Sequence, residues 1–388
     1  MHAEIIATGS ELLLGEQVDT NSTHIARRLR EIGLNLYFKT VVGDNEQRMA
    51  EALSIALRRS DVIITTGGLG PTVDDVTRPA VARAVGRELV LRDDLLEQIK
   101  ARFRVYGVPM GENNYRQAYV PQGAIPIENP VGTAPAFIVE DAGKIIISLP
   151  GVPREMEYLM EHAVLPYLRT KLQLTDVIVI RTLHTVGQGE SRIDEAIGEL
   201  ETSANPTVGL SAKAGQVDIR ITAKAAARAQ ADELIAAMEA RVRERVGHHI
   251  FGADEDTLED VLARQLTARG LTLASVEAGT AGALSGRLAR MGEVYRGGLT
   301  LPHGEAVDAA GVARAAQDVC RSQAADLGLA AMLRPTPDGL GLQLIIALAG
   351  MGEPRLIERG FGGHSAYAPQ WASTAALGLA WRATRAEA

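Results

Sequence analysis

The chain has 388 residues, 46% of them hydrophobic and 23% charged, the balance of a water-soluble globular protein with more than one core. Its net charge of −8 argues against non-specific nucleic-acid binding, and its single cysteine, Cys320, excludes an internal disulfide and fits a reducing compartment. The start Met1-His-Ala-Glu-Ile5 lacks a basic signal region, and no uncharged apolar run reaches the roughly 20 residues of a membrane span, so a cytoplasmic protein without a membrane partner is expected.

The first segment alternates strands and helices. Residues 4–8 read as a strand ended by Gly9-Ser10-Glu11. Asn21 is placed to cap a helix through Ile32, with Ile25, Leu29 and Ile32 on one face and Gly33 as its stop. Residues 34–42 form the second strand, residues 46–59 the second helix, and residues 61–66 a short β-branched strand. This βαβαβ rhythm predicts a doubly wound, mostly parallel sheet with helices on both faces and ligands at the carboxyl ends of the strands.

Three glycines follow the third strand, Gly67, Gly68 and Gly70, then Pro71, Thr72 and the pair Asp74 and Asp75. Glycines without Cβ atoms let the backbone turn and let a ligand approach it. Thr72 and Asp75 have capping-box spacing, which predicts a helix N-terminus opening there. Strand, glycine loop and helix start together read as an anion or phosphate site. The paired carboxylates lie in the same turn, where a metal or a general acid–base group has to be. Two more loops belong to the segment: Asn129 to Phe137, and Pro150 to Met156 after an apolar strand at 144–149.

The runs Thr8-Gly-Ser-Glu-Leu-Leu-Leu-Gly15, Asp19-Thr-Asn21, Gly67-Gly-Leu-Gly-Pro-Thr-Val-Asp-Asp75, Asn129-Pro-Val-Gly-Thr-Ala-Pro-Ala-Phe137 and Pro150-Gly-Val-Pro-Arg-Glu-Met156 resemble the molybdopterin-binding-like (MoaB/MogA-type) domain that opens CinA-family proteins. One departure is Ala136, where the family has glycine. The resemblance covers residues 1–170. It implies metal-dependent hydrolysis of the pyrophosphate of ADP-ribose or a related nucleotide, with Asp75 and Asp74 catalytic. A divalent metal ion would be held by Asp75 and Asp44. Gly67, Gly68, Gly70, Thr72, Ser10, Glu11, Asn21, Asn129, Gly132, Thr133, Pro150 and Gly151 would bind the substrate. The alternative is a domain that binds a nucleotide or pterin without turnover. A homo-oligomer, most simply a dimer, is the expected assembly.

Composition changes near Lys171 to Asp176. Residues 171–251 read as a small α+β module with strands at 177–185 and 217–223 and a long charged helix at 226–246. It resembles the middle domain of CinA proteins. Ser191 and Asp194 have capping-box spacing and read as structural, His248 and His249 as a solvated pair, and residues 252–256 as a linker.

Residues 255–388, rich in Ala and Gly, resemble the family's C-terminal α/β domain, which deamidates nicotinamide mononucleotide. Three motifs carry that activity in the family, and all three are damaged. Glu277-Ala-Gly-Thr-Ala-Gly282 stands for Glu-Ser-Cys-Thr-Gly-Gly, so Ala278 replaces the nucleophilic serine. In the second, Gly297 and Gly298 remain, but Pro302, His303, Gly304 and Val307 stand at the Tyr, Ser, Asn and Lys positions. The third, near Met332 to Pro337, is unrecognisable. Groups that act as a unit fail as a unit, so the deamidase is expected to be lost while its fold persists, and an amidase with an altered site is the least favoured reading.

Overall fold

The computed structural model describes residues 1–301, 308–336 and 338–385. The chain forms two compact units, Met1–Val179 with Lys224–Ala231, and Ile180–Ala223 with Asp232–Ala388.

The first unit runs β1 (His2–Thr8), α1 (Ser10–Leu13), α2 (Thr20–Glu31), β2 (Asn35–Val42), α3 (Glu46–Arg59), β3 (Val62–Thr66), α4 (Thr77–Ala84), β4 (Leu89–Leu91), α5 (Asp93–Tyr106), β5 (Tyr119–Pro121), β6 (Ile125–Ile127), β7 (Ala136–Asp141), β8 (Lys144–Leu149), α6 (Pro153–Leu159) and α7 (Leu165–Leu172). Its six-stranded sheet has the order β2-β1-β3-β8-β7-β6, parallel across the first four strands and antiparallel at the β7 and β6 edge. This is the doubly wound α/β fold that the sequence predicts. The apolar pairs explain why both faces are covered: Ile6 and Ile63 enter the core with Leu53, Val81 and Leu95, while Ile5 and Ile64 enter the opposite core with Ile25, Leu29 and Met156.

Two helix starts differ from the sequence reading. Asp19, not Asn21, caps α2, its Oδ1 accepting the Ser22 N–H at 2.9 Å. Both are good N-cap residues two positions apart, and local preference does not separate them. The helix after the glycine loop begins at Thr77, so Thr72 and Asp75 close a turn instead of capping it. The segment 89–121, with α5 and the two-stranded β4–β5 ribbon, has no counterpart in the sequence reading.

The middle module holds β9 (Val177–Val186), α8 (Glu190–Glu201), β10 (Thr207–Lys213), β11 (Gln216–Ala225), α9 (Arg228–Val246) and β12 (Ile250–Ala253), with sheet order β10-β11-β9-β12. The sheet has four strands where two were expected. Gly252 and Ala253, read as linker, instead pair with β9. The turn before α8 is capped by Gly189 without a side-chain bond, so Ser191 and Asp194 do not form a capping box.

Then come α10 (Leu258–Arg269), β13 (Leu273–Ala278), α11 (Ala283–Leu288), β14 (Tyr295–Leu301), α12 (Ala309–Ser322), β15 (Leu327–Pro335), β16 (Leu342–Ala349), β17 (Arg355–Phe361) and α13 (Ala368–Thr384). The sheet order is β14-β13-β15-β16-β17, parallel around β13 and antiparallel beyond β15. Val186 and Phe251 share one core with Leu262, Leu329, Ile346 and Trp381, so the middle and last modules pack as one body within the second unit. Positions 302–307 of the second damaged motif, with Pro302, His303, Gly304 and Val307, and Pro337 of the third lie outside the described residues. No helix among the described residues is long and apolar enough to cross a membrane.

Candidate functional site

Topology alone gathers the predicted residues of the first unit. The strands β2, β1, β3 and β8 are adjacent and parallel, so the loops after Val42, Thr8, Thr66 and Leu149 leave one edge of the sheet. Because β7 runs antiparallel to β8, the loop entering Ala136 lies at that edge too. These five connections carry Asp44, Ser10 and Glu11, Gly67 to Asp75, Pro150 and Gly151, and Asn129 to Thr133.

The glycine loop has a definite polarity. The Gly67 carbonyl accepts from the Thr77 hydroxyl at 2.8 Å, the Gly68 carbonyl from the Thr77 N–H at 3.2 Å, and the Leu69 carbonyl from Arg78 Nη1 at 2.9 Å. A planar trans peptide points its N–H opposite its carbonyl. Three carbonyls drawn toward α4 therefore leave the N–H groups of Gly68, Leu69 and Gly70 facing the other way. Gly70 donates to Asp75 Oδ1 at 2.7 Å, and the Thr72 N–H and hydroxyl donate to Asp75 Oδ2 at 2.8 and 2.5 Å. Asp75 thus occupies one end of this row of donors with its own carboxylate, and among the described residues the Gly68 and Leu69 N–H groups have no partner.

The glycines are required mainly by what lies beneath them. A Cβ at Gly67, at φ +100°, would meet the Thr8 carbonyl; one at Gly68, at φ +66°, would meet Thr77 Oγ1; one at Gly70 would meet the Asp75 carboxylate. Close packing, not only ligand access, keeps the loop bare.

Arg78 is the functional candidate that sequence reasoning missed. It is 3% exposed, yet among the described residues no carboxylate pairs with it within 4 Å. Nη1 holds the Leu69 carbonyl, Nη2 the Pro135 carbonyl at 3.4 Å, and Nε has no partner. Burial pulls the guanidinium down to about 10, and Asp75 offsets this in part, so it stays charged at neutral pH. Gln117 Nε2 also reaches the Leu69 carbonyl, at 3.4 Å, and Asn114 holds Gln117. The one signal in sequence is a cation in the first turn of a helix, against the dipole.

The remaining predicted residues fall into small networks. Asn21 Nδ2 donates to Thr66 Oγ1 at 3.0 Å and to the Gly151 carbonyl at 2.8 Å, and its buried Oδ1 has no partner. Thr66 donates to the Pro150 carbonyl, and a Cβ at Gly151 would sit 3.3 Å from the Gly67 Cα, so Asn21, Pro150 and Gly151 close against the glycine loop. The Ser10 N–H donates to Asp44 Oδ2 at 2.8 Å, and the Asp44 N–H returns to Ser10 Oγ at 3.3 Å. The Glu11 carboxylate lies over Gly9. Asn129 is fully engaged by its own loop and by α6: Nδ2 donates to the Ala134 carbonyl at 2.9 Å and to Glu155 Oε2 at 2.5 Å, and Oδ1 accepts from Val131. That leaves it a positioning role rather than a hand for ribose. Gly132 lies against the Glu155 carboxylate, which burial raises above the usual range despite the bond from Asn129. Thr133 lines a cavity beside α5.

The resemblance implies a metal ion, and the donors allow a limited fit. No group of three or more His, Cys, Asp or Glu side chains among the described residues forms a metal cage. Asp75 has three of its roughly four acceptor sites filled by the loop. Asp74 is exposed, and its nearness to Thr72 and to its own backbone N–H holds its carboxyl below the usual range. This set suits a hard cation carried by one or two carboxylates together with the ligand's phosphates, the usual manner for magnesium.

In the last domain, Glu277 is fully buried and accepts from the Thr280 hydroxyl at 2.5 Å, Leu284 N–H at 3.0 Å and Ser285 N–H at 2.8 Å. Burial pushes its carboxyl up, and the bonds from Ser285, Thr280 and Leu284 outweigh this and hold it below the usual range. The surviving residues Glu277 and Thr280 of the first damaged motif therefore hold the N-terminus of α11 in place.

Residues 4–170 match the family profile described as probable molybdopterin binding domain, and residues 180–252 match the damage-inducible protein CinA KH domain. The CinA-like protein of Kosmotoga olearia is 43% identical over 297 residues, covering 76% of this chain and 72% of its own. That of Dictyoglomus turgidum is 36% identical over 373 residues, 91% and 90% of the two chains. The crystal structure of the CinA protein of Thermoplasma acidophilum, 37% identical, covers 44% of this chain and 97% of its own with a TM-score of 0.40. The chain belongs to the CinA-like family of competence-damage inducible proteins, and its first domain is of the molybdopterin-binding type.

Proposed function

We propose that the first domain hydrolyses the pyrophosphate bond of ADP-ribose or a related nucleotide, with a divalent cation. The observation that carries this is the pair of unpartnered N–H groups at Gly68 and Leu69, turned away from α4 by carbonyls bonded to Thr77 and to the buried Arg78. Such donors favour a phosphate oxygen, and the charge beneath them acts in a medium of low dielectric. Asn21 Oδ1, buried and unpartnered beside Gly151, accepts a ribose hydroxyl. Asp75 and Asp44 would hold such a cation, which would supply charge neutralisation for the phosphates and a more acidic water. Asp74 faces solvent in ionised form and takes the proton of the attacking water, while Asp75 keeps the loop in shape and would have one lone pair left for a cation. Asp44, tied to Ser10 on the neighbouring loop, is the further carboxylate at this edge.

A second reading has its own support. Asp75 is accounted for by the loop it organises, which a nucleotide- or pterin-binding module without turnover needs equally. Incubating the full chain with a panel of nucleoside diphosphate derivatives and divalent metals separates the two. Metal-dependent release of a nucleoside monophosphate supports hydrolysis, and tight binding with intact ligand supports the binding module.

The last domain acts in this reading as scaffold, since Glu277 and Thr280 are engaged in holding α11 and Ala278 has no nucleophile. For the middle module, residues 180–252 contain no Gly-x-x-Gly sequence, the loop with which KH domains clamp nucleotides, and the chain carries net charge −8. Its proposed role is likewise non-nucleic. A cytoplasmic homo-oligomer remains the proposed state.

A further inference from the structure

Beside the glycine loop lies a cavity of about 250 Å³ that the proposed chemistry has not used. One wall is α5, which presents Gln98, Ile99 and Arg102; the other is the loop through Asn129, Thr133 and Pro135. Gln98 and Arg102 are four residues apart and share one helix face. Gln98 Oε1 is buried without a hydrogen-bond partner. An acceptor left so is destabilising, and a ligand donor would relieve it. Among the described residues Arg102 forms no ion pair within 4 Å, and it attracts the Glu155 carboxylate that lies against Gly132.

The loop wall is held firmly. The Asn129 side chain ties its own loop to Glu155, and Arg78 holds Pro135 with one terminal nitrogen and Leu69 of the glycine loop with the other. The two carbonyls are therefore no farther apart than one guanidinium and two hydrogen bonds allow. Cavity and phosphate loop are neighbours, joined through a single buried side chain. The volume is below the roughly 300–1,000 Å³ of sites for drug-sized ligands and suits one planar ring system.

We infer that this cavity is the subsite for the heterocycle of the ligand. Gln98 Oε1 accepts from an exocyclic amino group, Arg102 donates to the adjacent ring nitrogen or carbonyl oxygen, and Ile99 and Pro135 cover the ring faces. Adenine and pterin share that pairing of amino donor and neighbouring acceptor. The inference rests on the phosphate reading of the glycine loop, and the test keeps the two apart.

Titration calorimetry on the full chain uses three probes: inorganic pyrophosphate, AMP and a pterin diphosphate, each with wild type, Gln98→Leu and Arg102→Met. Far-UV circular dichroism controls for folding. The subsite predicts that at least one heterocyclic probe binds wild type more tightly than pyrophosphate does. Each variant should weaken that probe about tenfold, the scale of one lost hydrogen bond, while pyrophosphate changes less than about twofold. Whichever of AMP and the pterin responds identifies the source of the ring. Heterocycle affinity unchanged in both variants, or pyrophosphate weakened to the same degree, overturns the subsite and leaves the phosphate loop standing. Wild type without affinity for any of the three overturns the phosphate reading as well.

Discussion

Arg78 offers the sharpest single perturbation of this site. Its shift from the usual arginine range above 12 to about 10 corresponds to roughly 3 kcal/mol of lost solvation for the charged form. Against this stand two hydrogen bonds from a charged donor to Leu69 and Pro135, each worth about 1.5–3 kcal/mol. The terms nearly balance, so Arg78 adds little net stability, and its effect lies in fixing two loops and placing charge beneath one. Arg78→Met removes the desolvation cost and leaves two buried carbonyls short of a donor, at about 1–3 kcal/mol each. Gln117 still reaches one of them. The expected result is a loss of no more than about 3 kcal/mol in stability, with at least about tenfold weaker pyrophosphate binding. Arg78→Lys keeps the charge but, with one nitrogen, holds only one carbonyl, so it should recover part of the affinity. Thermal unfolding and titration calorimetry read the two effects separately. Wild-type affinity in Arg78→Met would refute the claim that this charge serves the glycine loop.

Three further outcomes follow from the same geometry. Gly68→Ala places a Cβ against Thr77 Oγ1 at φ +66° and should destabilise the first unit by about 1–3 kcal/mol, measurable by urea unfolding; unchanged stability would mean the loop relaxes freely. Glu277→Gln loses charge-assisted bonds at the start of α11 and should cost the second unit about 2–4 kcal/mol. Both tryptophans, Trp371 and Trp381, lie in that unit, so their fluorescence reports its unfolding. Because the Glu277 carboxyl is held low when folded, its contribution is present above the ordinary glutamate range and lost as pH falls through the folded value; an acid-side loss equal in variant and wild type contradicts this. His184 bonds Asp218 at 2.7 Å and the Asp254 carbonyl at 2.8 Å, and its pKa is raised first by the Asp218 bond, with burial and Lys213 opposing. Its stabilisation should be complete below about pH 6.5 and fade as pH rises through the raised value, a slope that His184→Gln should remove.

The fold was legible wherever burial imposes a pattern. Adjacent isoleucines at 5–6 and 63–64 mark strands covered on both faces, and Ile25 and Leu29 mark the inner face of α2. The glycine loop was legible as a place but not as a mechanism. A three-residue spacing such as Thr72 to Asp75 fits a capping box and a closed turn equally, and only the position of Thr77 decides. Asn129 looked like a free polar side chain and is consumed by its own loop. Arg78, Gln98 and Arg102 were not found because their significance is tertiary: each meets a loop 20 or more residues away in sequence. Gly252 was read as linker because β12 is four residues long, too short for a period to show.

Metal-assisted hydrolysis is the chemistry proposed for the glycine loop. It is tested most directly by following AMP release from ADP-ribose by the full chain, with magnesium or manganese and with chelator, in wild type and Asp74→Asn. Release should need the metal and fall at least about a hundredfold in Asp74→Asn, the scale for losing an acid–base group. Binding of ADP-ribose should be retained in the variant. ADP-ribose bound by wild type but never cleaved, or cleaved equally well by Asp74→Asn, would contradict it.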